Sequence, residues 1–138
     1  MKIWEHLVVA FEWPFLGSGW EMVLVVEDEP LVRMFAVDFV EDAGFDVVEA
    51  ADANQAVAIL EARTDIRIVF TDIDMPGSME GRKLARAVRD RWPPIGIIIV
   101  SRHKRPVDDD LPARPVFFPK PYDVDAVTAE LDRMAALR

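Results

Sequence analysis

Cysteine is absent from the 138-residue sequence, and histidine occurs only twice. The first absence excludes disulfide bonds, thiolate zinc sites and a cysteine nucleophile, and it fits a reducing cytoplasm. The two histidines, His6 and His103, lie far apart in the chain without supporting ligands, so they do not predict a metal site. A Gly-x-Gly-x-x-Gly fingerprint for a dinucleotide is also missing. The remaining candidates for chemistry are carboxylates, hydroxyls and basic side chains.

Basic residues are scarce, since 16 lysines and arginines face 25 aspartates and glutamates, for a net charge of −9. Contact with nucleic-acid phosphates requires clustered basic residues, so we expect no nucleic-acid partner. Apolar runs long enough to cross a membrane are missing as well. Glu5, His6 and Glu12 leave no apolar region for a signal peptide near the start of the chain. We therefore predict a cytoplasmic protein without a membrane partner.

One folded domain is expected, because 138 residues suit a single core and 51% of them are hydrophobic. Residues 22–138 carry a regular alternation of strand-like and helix-like segments. Residues 1–21 do not fit this alternation, although they hold three of the four tryptophans. We interpret residues 1–21 as a leader, with three origins open: a misassigned start, an engineered segment or an appended interaction helix.

Five short runs rich in Val, Ile or Phe predict strands, namely Val23–Val26, Phe45–Val48, Ile66–Phe70, Ile95–Val100 and Val116–Phe118. Runs this short and apolar suit parallel strands that are buried on both faces. Between them, apolar residues recur at helical spacing, as in Leu31, Phe35 and Phe39. The pattern predicts an α/β fold, an open doubly wound parallel sheet with helices on both faces. Between Ser101 and Pro115 the periodicity is weak, so we expect a short or irregular helix there.

Local signals predict where several helices begin and end. Pro30 suits the first turn of a helix that Gly44 can end. Asp52, followed three residues later by Gln55, resembles a capping box. Asp123 is a candidate N-cap for the last helix.

Acidic residues follow two of the predicted strands. Glu27, Asp28 and Glu29 come directly after the first strand, and Asp72 follows the third. In a doubly wound order that begins 2-1-3, these strands are neighbours, so their carboxyl ends bring Asp28 and Asp72 together. Carboxylates in one crevice repel each other unless a cation lies between them, and an oxygen-only set suits Mg²⁺.

Two other predicted strands end in residues that bind anions. Ser101 ends the fourth strand with a hydroxyl, and Lys120 follows the fifth with an ammonium group. Acids with Mg²⁺, a hydroxyl and a lysine form a set that handles a phosphoryl group. For either acid alone, a loop carboxylate that caps a helix is the simpler interpretation. Four such groups at four strand ends favour the phosphoryl site.

The ordered motifs resemble the receiver domain of two-component response regulators. These motifs are VLVVEDEP, VFTDIDMPG, IIIVS and FFPKP, and the resemblance extends from Val23 to Leu137. It implies a flavodoxin-like sheet of five parallel strands in the order 2-1-3-4-5. It also implies a phosphoacceptor that takes part in its own phosphorylation and dephosphorylation and is not a turnover enzyme.

The resemblance assigns the acids specific roles. Asp72 is the implied nucleophile, which accepts a phosphoryl group from a histidine kinase or a histidine phosphotransfer protein. Glu27, Asp28, Asp72 and the backbone carbonyl of Asp74 are the implied ligands of Mg²⁺. Glu27 would act directly or through water.

The resemblance also implies a switch. Ser101 would move toward the phosphoryl group after transfer, and Lys120 would contact that group. The bond between Lys120 and Pro121 is expected to be cis. Phe117 takes the position of the aromatic switch residue, although it could equally be an ordinary core residue.

Three residues depart from the usual pattern and are predicted to tune the lifetime of the phosphorylated state. Arg102 and His103 follow Ser101 where a small residue is common, and Asp74 adds a negative charge two positions after Asp72. Asp74 could oppose an attacking anion or hold a water molecule.

We expect a stand-alone receiver without an output domain, which signals through an unknown downstream protein as a monomer or a homodimer. Two alternatives differ in class. The Asp-x-Asp pair in TDIDMPG also occurs in aspartate-nucleophile phosphatases, but there it normally follows the first strand, with the second aspartate as general acid. A pseudo-receiver that binds partners without phosphorylation is the other alternative, which the intact set of site residues disfavours.

Overall fold

The computed structural model describes residues 21–74, 78–102 and 115–137. The leader up to residue 20, the crossover segment 103–114 and its His103 lie outside the described residues. Each predicted strand is present, with its ends shifted by at most two residues. None of the helices in the described part of the chain is long and apolar enough to cross a membrane. The elements are β1 (Met22–Val26), α1 (Pro30–Asp42), β2 (Asp46–Ala50), α2 (Ala53–Ala62), β3 (Ile66–Asp72), α3 (Ser78–Arg91), β4 (Gly96–Ser101), β5 (Val116–Pro119) and α4 (Val124–Ala136).

The five strands form one parallel sheet in the order β2-β1-β3-β4-β5. This confirms the predicted fold class and strand order. The register places Asp72 opposite Val100 and Ser101 opposite Pro119. The carboxyl ends of β1, β3, β4 and β5 therefore meet at one edge of the sheet, where ligands bind in doubly wound folds.

The sheet divides the core into two layers, because successive residues of a strand point to opposite faces. Leu24, Val69 and Ile99 pack on one face against α2 and α3. On the other face, Val25, Phe70 and other residues pack against α1 and α4. Both faces of the central strands are thus covered, which explains their continuous apolar sequences.

The predicted signals at the helix ends are confirmed. Pro30 occupies the first turn of α1, and Gly44 beyond its end has a φ of +100°, which favours glycine. The Asp52 carboxylate accepts a hydrogen bond from the backbone amide of Gln55 at 2.8 Å. The Gln55 side chain accepts in turn from the amide that precedes the cap, also at 2.8 Å. Asp123 caps α4 by accepting from the amide two residues later at 3.0 Å.

The apolar stripe predicted on α1 is buried only in part. Phe39 is buried together with Ala36 and Val40, whereas Leu31 is 77% exposed and Phe35 is 52% exposed. Four residues span about 400° of an α-helix, so a row spaced by four drifts about 40° at each step. Phe39 therefore faces the sheet, whereas Phe35 and Leu31, nearer the start of the helix, point progressively toward solvent.

Gly81 allows α3 to approach the backbone that follows β3. A Cβ atom at Gly81 would lie 3.0 Å from the Cα of Ile73. Few real Cβ atoms make so close a contact, so a side chain here would press on the backbone of Ile73. Ile73 follows Asp72 directly, and α3 thus supports the chain segment that carries this acid.

Candidate functional site

Three carboxylates meet at the carboxyl edge of the sheet. Oxygens of Glu27, Asp28 and Asp72 all lie within 4.8 Å of one another. Glu27 and Asp72 are 5% and 4% exposed, whereas Asp28 is half-buried. Because parallel neighbours end together, the loop after β1 and the last residue of β3 converge as predicted.

Backbone interactions hold Glu27 in place. Its amide donates to the carbonyl oxygen of Ala50 at 3.0 Å, which extends the pairing of β1 with β2. Its own carbonyl oxygen accepts a hydrogen bond from Nη1 of Arg33 at 2.8 Å. The Glu27 carboxylate accepts from the backbone amide of Glu29 at 3.1 Å. The backbone of Glu27 is therefore held by β2 and α1, and its carboxylate by the turn that leads into α1.

Lys120 reaches the acids from the end of β5. Its Nζ lies 2.6 Å from Oδ2 of Asp72 and 3.9 Å from Oε1 of Glu27. Its backbone amide donates to the carbonyl oxygen of Ser101 at 2.7 Å, and its bond to Pro121 is cis, as predicted. The ammonium group neutralises part of the negative charge at Asp72.

Burial and the neighbouring acids change the acid–base behaviour of the site. Burial, together with hydrogen bonding and charge repulsion from Asp72, raises the pKa of Glu27 from 4.5 to about 8. Burial, with the charges of Glu27 and Asp72, raises the pKa of Tyr122 to about 12, so its hydroxyl keeps its proton. The crevice therefore favours an added positive charge, either a proton on Glu27 or a bound cation. Mg²⁺ prefers oxygen ligands, so a negatively charged cluster of carboxylate oxygens fits this cation.

The raised pKa of Glu27 should make the metal-free chain less stable as the pH rises. The unfolded chain releases this proton near 4.5, whereas the folded chain, with Glu27 facing Asp28, Asp72 and Lys120, retains it up to about 8. Between these values the folded state binds more protons, so raising the pH favours unfolding. With a chelator present, we expect the thermal midpoint to fall across this interval and Glu27→Gln to flatten the fall. An equally steep fall in the variant would contradict the assignment.

The contacts of the Asp74 carboxylate were not predicted from the sequence. Its Oδ1 accepts a hydrogen bond from Oγ of Ser101 at 2.8 Å, and its Oδ2 accepts from the backbone amide of Arg102 at 2.6 Å. Nε of Arg102 lies 3.6 Å from the same oxygen. The Asp74 amide donates to Oδ1 of Asp72 at 2.7 Å. Asp74 thus links the acid at the end of β3 to the hydroxyl at the end of β4, and the Asp-x-Asp spacing was the one available sign.

The predicted switch residues lie on the two strands beyond β3. Ser101 is fully buried at the end of β4, one strand away from Asp72. Phe117 is half-buried on β5 and packs against the layer that includes α2 and α3. Arg102 has a side chain that is 70% exposed at the mouth of the site. The roles of these residues in switching and lifetime remain predictions.

A cleft of about 1080 Å³ opens over the acids and Lys120. Two residues that line the cleft were not predicted to lie at the site: Phe35 from α1 and Tyr122, which follows the cis bond. Tyr122 stacks edge-on against Phe39 and Phe70, each at 5.9 Å between ring centres, which fixes its ring beside the acids. The cleft thus combines an apolar wall with a floor of acids and one lysine. An incoming anionic group would meet Lys120 beside the buried carboxylate of Asp72.

Comparisons with known proteins agree with this geometry. The family pattern described as "Response regulator receiver domain" matches residues 23–112. The chain is 36% identical over 121 residues to the sensor kinase CckA of Brucella abortus, covering 85% of this chain but 13% of the kinase. Likewise, the chain spans 24% of the transcriptional regulator NtrC of Salmonella typhimurium, to which it is 28% identical. It therefore matches a small part of each of these longer relatives.

Solved structures share the fold across nearly their whole length. The receiver domain of the hybrid histidine kinase CckA superposes with a TM-score of 0.68 at 27% identity, covering 83% of this chain and 98% of that domain. A response regulator receiver protein from Pseudomonas putida superposes with a TM-score of 0.72 at 26% identity, covering 83% and 97%. The family pattern, the strand order and the position of the acids all lead to one assignment. The chain belongs to the receiver domain family of two-component response regulators.

Proposed function

We propose that this receiver accepts a phosphoryl group on Asp72 in a Mg²⁺-dependent reaction and signals through protein contacts that phosphorylation controls. One observation carries the proposal: the buried Asp72 carboxylate lies 2.6 Å from Nζ of Lys120 and within 4.8 Å of two further acids. We place the receiver domain in residues 22–138. The absence of cysteine is compatible with the cytoplasm, where we propose that it acts.

The proposed step transfers one phosphoryl group. A carboxylate oxygen of Asp72 attacks the phosphorus of a phosphohistidine, and a new P–O bond forms while the P–N bond breaks. The bonding electrons return to the imidazole nitrogen, and a proton carried by the other ring nitrogen of the phosphohistidine leaves the donor histidine neutral, with an acyl phosphate on Asp72. Lys120 lies where its charge can stabilise the phosphoryl oxygens during transfer.

The acids of the site also support the proposed reaction by holding a cation. Glu27, Asp28 and Asp72, with the backbone carbonyl of Asp74, are the residues proposed to hold Mg²⁺. When bound, the cation neutralises negative charge on the transferring group and on the acids. Burial is the main cause of the raised pKa of Glu27, and the neighbouring charge of Asp72, which adds to it, also attracts a divalent cation.

The proposed partners follow from the family. Receiver domains are phosphorylated by histidine kinases or histidine phosphotransfer proteins, and we propose a donor of this class here. The downstream partner is proposed to be a protein. The phosphatase alternative needs the second acid of Asp-x-Asp as a proton donor, yet the Asp74 carboxylate accepts hydrogen bonds from Ser101 and Arg102. That contact gives the alternative no support.

A small phosphodonor tests the proposal. Incubation of the chain with acetyl phosphate and Mg²⁺ should add about one phosphoryl mass, because an acyl phosphate forms on one carboxylate. The added mass should be lost on treatment with hydroxylamine, which cleaves acyl phosphates, and should not form when a chelator removes Mg²⁺. Intact-protein mass spectrometry measures all three results. No added mass in the presence of donor and Mg²⁺ would contradict the proposal.

A further inference from the structure

The Asp74 carboxylate holds two hydrogen-bond donors beside the phosphorylation site. The Ser101 hydroxyl donates to its Oδ1 at 2.8 Å, and the Arg102 amide donates to its Oδ2 at 2.6 Å. The side chains of Asp74 and Ser101 are both well shielded, with Asp74 5% exposed and Ser101 at 0%. The bond from the Ser101 hydroxyl therefore joins two shielded side chains, where a hydrogen bond to a charged acceptor is strong, whereas the bond from the Arg102 amide lies at the exposed mouth of the cleft.

We propose that Asp74 is a positioning residue that holds Ser101 and the Arg102 amide in the unphosphorylated arrangement, so that its carboxylate competes with the phosphoryl group for these donors. The inference rests on the proposed function of Asp72. It concerns the free energy needed to rearrange Ser101 and the Arg102 amide after phosphorylation, and not the transfer step itself.

The competition follows from counting protons. A serine hydroxyl and a backbone amide each carry a single hydrogen, so each makes its main bond to one acceptor. A phosphoryl group on Asp72 brings three strong acceptor oxygens and a charge of about −1.5 to −2 to the same strand ends. If Ser101 donates to the phosphoryl group, its bond to Asp74 must break, and the same holds for the Arg102 amide. Both bonds thus stabilise the unphosphorylated arrangement relative to the phosphorylated one.

The position of Asp74 makes this competition direct. Its backbone amide donates to Oδ1 of Asp72 at 2.7 Å, so its backbone is tied to the acid that would carry the phosphoryl group. Asp72 and Val100 lie opposite each other in the sheet, which places Ser101 one residue beyond that pair. The hydroxyl that Asp74 holds therefore lies on the strand next to Asp72, one residue beyond the residue that pairs with it.

Removal of the Asp74 carboxylate should therefore favour the phosphorylated arrangement. Beryllofluoride with Mg²⁺ is a stable mimic of an acyl phosphate and serves as the probe, with binding followed by NMR. Because bonds to a charged acceptor are lost only on phosphorylation of the wild type, we expect Asp74→Ala to bind the probe about tenfold more tightly. Asp74→Asn keeps one acceptor oxygen and should gain less. Glu61→Gln removes an exposed acid on α2 and should leave the affinity unchanged.

A double-mutant cycle with Ser101→Ala separates the hydrogen bonds from simple charge repulsion. Without the hydroxyl, Asp74 has one donor fewer to hold, so the gain from Asp74→Ala should shrink to about threefold. If repulsion between Asp74 and the probe were the whole effect, the gain would be equal in both backgrounds. The Arg102 amide resonance should also move in unphosphorylated Asp74→Ala, because its acceptor is gone.

The outcomes distinguish this inference from the proposed function. If the wild type binds the probe and forms the acyl phosphate, but Asp74→Ala gains nothing or gains equally without Ser101, the inference alone is overturned. If the wild type neither binds the probe nor is labelled, the proposed function fails and this inference fails with it. A smaller gain without the hydroxyl, together with a shifted Arg102 amide, supports the inference.

Discussion

The Asp72→Asn variant should gain no phosphoryl mass under conditions that label the wild-type chain. An amide at this position has nearly the shape of the acid but no anionic oxygen, so it cannot act as the nucleophile. Asp72 is 4% exposed, and the substitution changes little of its volume, so the variant should keep the packing around this position. Intact-protein mass spectrometry after incubation with acetyl phosphate and Mg²⁺ measures the loss.

Asp90→Asn is the matched control for this prediction. Asp90 is exposed near the end of α3 and is paired with the neighbouring Arg89. This end of α3 leads into the start of β4, at the edge of the sheet opposite the acids. The control makes the same chemical change far from the acids and should label like the wild type. Labelling of Asp72→Asn at the wild-type level would show that another residue is the acceptor.

Leu24→Ala should destabilise the fold by about 3 kcal/mol, the largest stability effect that we predict. Leu24 is completely buried on β1 and packs in the layer formed with α2 and α3. Truncation removes buried apolar surface and leaves a cavity between layers that cannot fully collapse. Urea unfolding followed by circular dichroism should show a lower midpoint with an unchanged slope.

Leu31→Ala provides the same substitution on the surface. Leu31 is 77% exposed on α1, so its truncation should change the free energy of unfolding by no more than about 0.5 kcal/mol. Equal losses for Leu24→Ala and Leu31→Ala would contradict the assignment of Leu24 to the core.

The fold could be predicted from the sequence because several independent patterns agreed. Short Val- and Ile-rich runs predicted the strands, and their continuous apolar character predicted burial on both faces. Crossover geometry then left parallel pairing as the natural arrangement, which brought Asp28 and Asp72 to one edge. The caps at Asp52 and Asp123 and the turn at Gly44 were predictable because each is set by local backbone chemistry.

Features that depend on the direction of a single side chain could not be predicted. A carboxylate two positions beyond a strand can face water, a cation or a neighbouring strand, and the sequence does not decide among these. The contact of Asp74 with Ser101 therefore appeared only in three dimensions. The exposure of Leu31 and Phe35 was missed for a related reason, since a row of apolar residues defines a stripe but not the angle at which the helix meets the sheet.

The alternation of β1 between two layers has a practical consequence for spectroscopy. Leu24 and Val25 are covalent neighbours, yet their methyl groups lie in layers on opposite faces of the sheet. Isotope-labelled methyl groups at these two positions would therefore report separately on the α2–α3 side and on the α1–α4 side. A chemical event at the shared strand edge can thus be followed into each half of the molecule by a pair of probes one peptide bond apart.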